Sequence, residues 1–263
     1  MSEKIIVSMT SYPKRISNAG ISIYLMLTKQ TLSPDEIHLW LSVEEFPGML
    51  ADLPGDLQSI VLHPKVFIHW LPNNTYVHKR HEIFKLFDND ACVFLIDDDV
   101  IYNNALIETV MQTHRKWPNS IICYNQYSKH EYSGKHIIYG KPLPETSPKA
   151  NHNRWCGQSM IPASIYPHII LDPEHQLVRN RCSPISDECW IQPWLVLYDI
   201  PVYHLSYDWG KDINPALSKT KGLCSTTHTI EANGLERRDN WLHAVLTAYP
   251  SIMNKYNKLW GYK

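Results

Sequence analysis

The chain has 263 residues, 44% of them apolar and 19% charged, with a formal net charge of −1 at pH 7. That length is enough for a substantial core in one large domain or two small ones, and the proportions are ordinary for a soluble globular protein. The balanced charge excludes the basic profile of a nucleic-acid binder, and no apolar run approaches the roughly 18 residues of a membrane span.

Aromatic usage is less ordinary, with 15 Tyr and 9 Trp against 5 Phe. Tyr and Trp join an apolar body to a polar handle, which suits stacking on sugars or bases as well as core packing. Six cysteines, at 92, 123, 156, 182, 189 and 224, contain no Cys-x-x-Cys pair. Cys182, Cys189, Cys224 and His228 match no common zinc-finger spacing. With no signal peptide in the pattern, the expectation is a reducing, cytoplasmic protein.

In chain order, residues 5–9 read as a buried strand that opens into a polar loop, Thr10 to Arg15. Apolar positions at 16, 19, 20, 23, 24 and 27 predict a helix. Residues 36–42 alternate as a second strand, so strand, helix and strand form a βαβ unit and imply a parallel sheet. Residues 43–64 read as a connecting segment, 66–71 as a third strand, and Val77 to Phe87 as a short helix. Val93 to Ile96 is a continuous apolar run, the pattern of a strand buried on both faces. A helix is predicted over 104–116.

The second half is more broken. Ile121 to Cys123 and Ile137 to Tyr139 read as short strands, and Asn151 to Ser159 as a loop. A helix running to Tyr198 begins at Ser186, whose hydroxyl is a natural N-cap with Asp187 and Glu188 in the first turn. Ile200 to His204 is a late strand, and residues 206–236 read as loop-rich. Helices are predicted over 240–249 and after Pro250. The division is a nucleotide-binding half, 1–120, and an acceptor-side half, 121–263.

The apolar run at 93–96 leads directly into Asp97, Asp98 and Asp99. Adjacent carboxylates repel, and burying them is costly unless a cation or donor compensates. In open α/β sheets ligands bind at the carboxyl ends of strands. A divalent cation carrying a phosphate is the first expectation. An acid there can hold Mg²⁺ or Mn²⁺ against a nucleoside diphosphate, or serve as a phosphatase nucleophile of the haloacid-dehalogenase type.

Ser8 to Ile16, Leu39 to Pro47, Lys79, and Phe94 to Tyr102 occur in an order that resembles bacterial glycosyltransferases of the GT-A fold, similar to glycosyltransferase family two, which build capsule or lipopolysaccharide chains. The resemblance implies a Rossmann-like α/β fold: a mostly parallel central sheet flanked by helices, with an acceptor-side second half. It implies a nucleoside-diphosphate sugar donor, UDP-linked, with Thr10, Tyr12, Arg15, Lys79, Asp97 and Asp98 on the donor. Asp99 would be the main ligand of Mn²⁺ or Mg²⁺, with Asp97 beside it and His228, or His204, completing the shell. Glu188, with Asp187 as the alternative, would be the base that takes the acceptor hydroxyl proton, giving inversion. Trp155, Gly157 and Trp190 fall on the acceptor side, and the acceptor would be a glycan or lipid-linked glycan. Tyr256, Lys258, Trp260 and Lys263 are candidates for peripheral contact with an anionic membrane surface, or simply a solvated helix end.

Three alternatives stay open at this point. A dehalogenase-type phosphatase would use Asp97 and Asp99, but that pattern usually opens the chain and carries Thr or Val where Ile101 stands. A nucleotidyltransferase usually has a Gly-rich loop after its first strand, and Thr10 to Arg15 has no Gly. A non-enzymatic glycan-binding protein would keep the fold without metal-dependent nucleotide binding.

Overall fold

The structure is a computed structural model and describes residues 3–124, 130–132, 137–139, 158–213 and 234–260. In chain order the elements are β1 (Lys4–Thr10), α1 (Ile16–Thr28), β2 (Glu36–Ser42), α2 (Gly55–Ile60), β3 (Val66–Leu71), β4 (Ala91–Leu95), β5 (Val100–Tyr102) and α3 (Leu106–Lys116). There follow β6 (Ile121–Tyr124), β7 (His130–Tyr132), β8 (Ile137–Tyr139), β9 (Ser159–Pro162), α4 (Pro173–Cys182) and α5 (Asp187–Leu197). The last elements are β10 (Val202–Leu205), β11 (Gly210–Asp212), α6 (Gly234–Ala248) and α7 (Pro250–Trp260). Among the described residues four stretches are 3₁₀-helical, the longest being Tyr76–Lys85. The fold is α/β, mostly parallel and flanked by helices, as the βαβ pattern predicts. Among the described residues, no helix is long and apolar enough to cross a membrane.

The chain forms two compact units. The first comprises Met1–Pro118, Gly157–Tyr166 and Asp208–Ile213, and the second Asn119–Cys156, Pro167–Tyr207 and Asn214–Lys263. The halves expected from sequence are contiguous, whereas the first unit takes back two later segments. The reason is strand pairing: β9 adds to β4, and β11 pairs with β5.

In the first unit β1 lies between β2 and β4, parallel to both, and β2 is parallel to β3. β9 runs antiparallel to β4. Every residue of β4 is buried, as a continuous apolar run requires. Ile6, Val7, Met9, Leu39, Phe94 and Leu95 form the heart of the core. Gly210 joins β11 to β5 at φ 152°, and a Cβ there would lie 2.2 Å from the carbonyl oxygen of Ile101. Only glycine allows so close a backbone approach.

In the second unit β10 is parallel to β6, and β7 pairs antiparallel with β8. α5 packs against α6 and α7. Its Trp190 and Trp194 meet Tyr249 at ring separations of 6.1 and 4.8 Å. Lys255 of α7 donates to the carbonyl of Leu197 at 2.8 Å, placing a cation at the C-terminus of α5, where the helix dipole favours it.

Several local expectations shift. The α1 stripe is buried at Ile16, Ala19, Gly20 and Ile23 as predicted, but Ser22 and Met26 complete it in place of Leu27 and of Tyr24, which is exposed. The segment 43–64 holds a 3₁₀ turn and α2, and Ser159 starts a strand where a loop was predicted. α4 and the short strands β5, β7 and β11 had no clear periodic signal, since three or ten mixed residues carry little pattern.

Candidate active site

The acids sit where two parallel strands end together. Along the β1–β4 pairing each β1 residue lies beside the one 87 positions later, from Lys4 beside Ala91 to Ser8 beside Leu95. Continued past the strand ends, that offset sets Ser11 against Asp98, and the Ser11 hydroxyl donates to Asp98 Oδ2 at 2.5 Å. Backbone bonding carries the register onward, with the Ile96 N–H donating to the Ser8 carbonyl at 3.1 Å. Arg15, at the N-cap position of α1, turns its guanidinium back over this end, 2.7 Å from Asp98 Oδ1 and in an ion pair with Asp99.

Asp98 is 5% exposed. Its carboxyl is pushed up to about 7, because burial outweighs the opposing pull of Arg15 and the Ser11 hydroxyl. Burial also works against the charge of Arg15, but Asp98, Asp99 and Asp97 together raise its pKa. Tyr12, whose ring centre is 5.9 Å from the Arg15 guanidinium, has its phenol raised chiefly by burial.

Asp97 is more open, with its side chain 36% exposed. Arg80 donates to Asp97 Oδ1 at 2.8 Å and to the Ile96 carbonyl at 3.2 Å, while Gln158 donates to Asp97 Oδ2 at 2.7 Å. The Asp97 N–H donates to the buried Tyr102 hydroxyl at 2.7 Å. Ser22 of α1 donates to the carbonyls of Asp98 and Val100 at 3.2 and 3.1 Å, which is why this polar residue lies on the buried face of its helix. The Ile213 N–H donates to the Asp99 carbonyl at 2.7 Å. The acid turn is therefore held from α1, β5, the 3₁₀ segment and the residues flanking β9 and β11.

Lys79 and Arg80 are sequence neighbours with different destinations. In a 3₁₀ helix successive side chains point about 120° apart. Lys79 reaches Glu45 Oε2 at 2.5 Å and Asn74 Oδ1 at 3.0 Å, with only 2% of its side chain exposed. Burial lowers its pKa, opposed by Glu45. Of these two neighbours it is Arg80 that reaches the acid turn. Its carbonyl accepts from the Ser8 hydroxyl at 2.7 Å, and Ser8 in turn accepts from Trp40 Nε1 at 3.1 Å.

Thr10 donates to the Trp40 carbonyl at 2.8 Å, closing the β1–β2 end. Thus Thr10, Tyr12, Arg15 and Asp97 to Asp99 gather at one sheet end in the first unit, while Lys79 is ion-paired with Glu45 and also feels the charge of Asp98. In the second unit Ser186 caps α5 by accepting from the Cys189 N–H at 3.3 Å. Glu188 is ion-paired with Arg238, and Asp187 is 5% exposed. Trp190 is 1% exposed and packed among aromatic rings, so it presents no face to a sugar. His204 is buried in the second unit, and Tyr256, at 0% exposure, has no surface to offer a membrane. Trp155, Gly157 and His228 lie outside the described residues.

Sequence reading missed Ser11, Ser22, Arg80, Tyr102 and Gln158. Ser11 was accessible from aligning the ends of two parallel strands. Gln158 was not: the antiparallel β4–β9 pairing, Leu95 beside Ser159, brings it next to the acids from a distant segment.

A divalent ion implied by the resemblance can be tested against these donors. Among the described residues, Asp97, Asp98 and Asp99 do not bring three ligand atoms to one point. Their oxygens face two guanidinium groups, an amide and a hydroxyl. With Asp98 ionised, three negative charges meet two positive ones, leaving an excess of one; with Asp98 protonated the charges balance. The set fits a divalent ion at Asp99 and Asp97 only if Arg15 releases Asp99.

No protein-family model matches the chain, and no curated protein matches it in sequence. Among solved structures it is similar to S. aureus TarS residues 1–349, at 11% identity and a TM-score of 0.46, over 97% of this chain and 83% of that one. It is also similar to the same fragment in complex with UDP, at 12% identity and a TM-score of 0.44, over 79% of this chain and 59% of that one. A further S. aureus TarS structure matches at 10% identity and a TM-score of 0.43, over 79% of this chain and 36% of that one. The chain spans less than two thirds of the length of two of these three.

Proposed function

We propose that the chain is a glycosyltransferase that accepts a nucleoside-diphosphate sugar, UDP-linked, at the carboxyl ends of β1 and β4 and transfers the sugar to a glycan hydroxyl with inversion. The observation that carries this reading is the meeting of three carboxylates with Arg15 and Arg80 where two parallel strands end. Guanidinium groups recognise phosphate oxygens in bidentate fashion, and carboxylates hold the cation that accompanies a diphosphate. Thr10 at the end of β1 and Tyr12 and Arg15 in the segment that follows it would contact base, ribose and phosphate.

Mn²⁺ or Mg²⁺ would be held by Asp99 and Asp97 and would neutralise charge on the departing diphosphate as a Lewis acid. Arg15 has an evident alternative partner, since a diphosphate offers it the negative charge it now finds on Asp99. The proposed base is Glu188, oriented by Arg238, with Asp187 as the alternative. Asp187 is the more buried of the two.

Calorimetric titration of UDP with and without Mn²⁺ tests the reading. Binding that strengthens with Mn²⁺ and is lost in Asp99→Ala is the expected result. No binding, or binding indifferent to Asp99→Ala, would overturn it.

A further inference from the structure

A second cluster of ligand-type side chains lies at the opposite end of β4 from the acids. Ile5 and Cys92 are register partners, so their side chains share a face of the sheet. Glu3, two residues before Ile5, belongs to the same face by the period of the strand. α3 buries Leu106, Ile107, Val110, Met111 and His114, a helical stripe whose last member reaches the same place. His114 Nε2 lies 3.0 and 3.2 Å from the two carboxylate oxygens of Glu3. One ligand atom each from Glu3, Cys92 and His114 lies within 4.8 Å of the others, and among the described residues no other three such groups converge so closely.

We propose that Glu3, Cys92 and His114 bind a divalent transition-metal ion of the zinc class, with the fourth position open to water. Thiolate, imidazole and carboxylate are the donors such an ion takes, and three protein ligands plus water is a recurring arrangement for it. The charges also balance. One thiolate and one carboxylate neutralise a divalent cation, so the complex has no net charge to bury. Cys92 at 0% and His114 at 2% exposure are shielded from water, whereas Glu3 is exposed and provides a route in from solvent.

Without an ion the arrangement is awkward. A buried thiol faces a carboxylate that, after burial itself, further disfavours its ionisation. On binding, the Cys92 S–H bond breaks, a sulfur–metal bond forms, and the thiol proton leaves to solvent. The His114 proton moves from Nε2, which becomes the ligand, to Nδ1, so each ion bound releases one proton. Bound metal would staple the start of β1 to β4 and to the last turn of α3.

Cobalt(II) is the probe, because a thiolate ligand gives it a near-ultraviolet charge-transfer band. The full-length chain should take one Co²⁺ with that band, surrender it to Zn²⁺, and release one proton per ion in calorimetry run in buffers of different ionisation enthalpy. Cys92→Ser should abolish the band. Glu3→Gln, at an exposed position where the fold is safe, should weaken binding by at least the ~10-fold that even outer-shell partners of a metal site contribute. Asp99→Ala should leave both unchanged. Absence of the band in the parent chain, its persistence in Cys92→Ser, or unaltered affinity in Glu3→Gln would overturn the proposal. None of these outcomes depends on the glycosyltransferase reading, which Asp99→Ala and UDP test separately.

Discussion

Replacing Asp98 by Asn removes the titration of one buried carboxyl while keeping an oxygen for Arg15 and the Ser11 hydroxyl. In the folded chain burial pushes this carboxyl up to about 7, from an ordinary value of 3.8. Between those values the folded state holds a proton that the unfolded state has given up. The protonated form therefore contributes stability that is fully present below the unfolded value and is lost as pH rises through the folded one. A gap of about 3 pH units at about 1.4 kcal/mol per unit puts the full span near 4 kcal/mol. The part falling between about pH 5 and about pH 8 is roughly 2–3 kcal/mol. Urea unfolding of both proteins across that range, with chelator present, measures it. Titration of groups not coupled to Asp98 is common to the two proteins and cancels in their difference. The parent should lose about 2–3 kcal/mol relative to Asp98→Asn as pH rises. A difference that stays constant with pH, or changes with the opposite sign, would refute the assignment of a buried, proton-holding Asp98.

Arg15→Ala leaves Asp98 and Asp99 without their shared cation, and should cost about 2–4 kcal/mol at alkaline pH, with a smaller loss in acid where Asp98 protonates. Arg15→Lys should restore only part of this, since one ammonium cannot span two carboxylates as a fork does. Thermal and urea unfolding of the two variants would show it, and a loss independent of pH would count against the pairing. His69, stacked on Trp40 at 3.9 Å and 2.8 Å from His38 Nδ1, is lowered to about 4, first by burial and then by His38. It should remain neutral until well below its ordinary range by NMR titration, and the chain should lose stability as pH falls from about 6.5 towards 4. An ordinary midpoint for His69 would contradict the stacked, desolvated geometry.

Local pattern determined much of this protein without help from the fold. β2 and β3 fall on the predicted residues because alternation and flanking breaks are local signals. The apolar run before Asp97 reads as a doubly buried strand, and three adjacent acids at its end demand compensation wherever the chain goes. What compensates them is a tertiary matter. Arg15 meets Asp98 because β1 and β4 are parallel neighbours with one register, which no pattern within either segment specifies. Gln158 arrives through an antiparallel pairing with a strand too short to announce itself. Lys79 and Arg80 carry the same charge in the same local context, and only the direction of a 3₁₀ turn sends one to Glu45 and the other to Asp97. Trp190 belongs to an aromatic run that suits a sugar as well as a core, and packing of α5 against α6 and α7 decided for the core. Sequence periodicity reports which face of an element is apolar. The identity of the side chain across from it depends on register and crossing, which are set by residues tens of positions away.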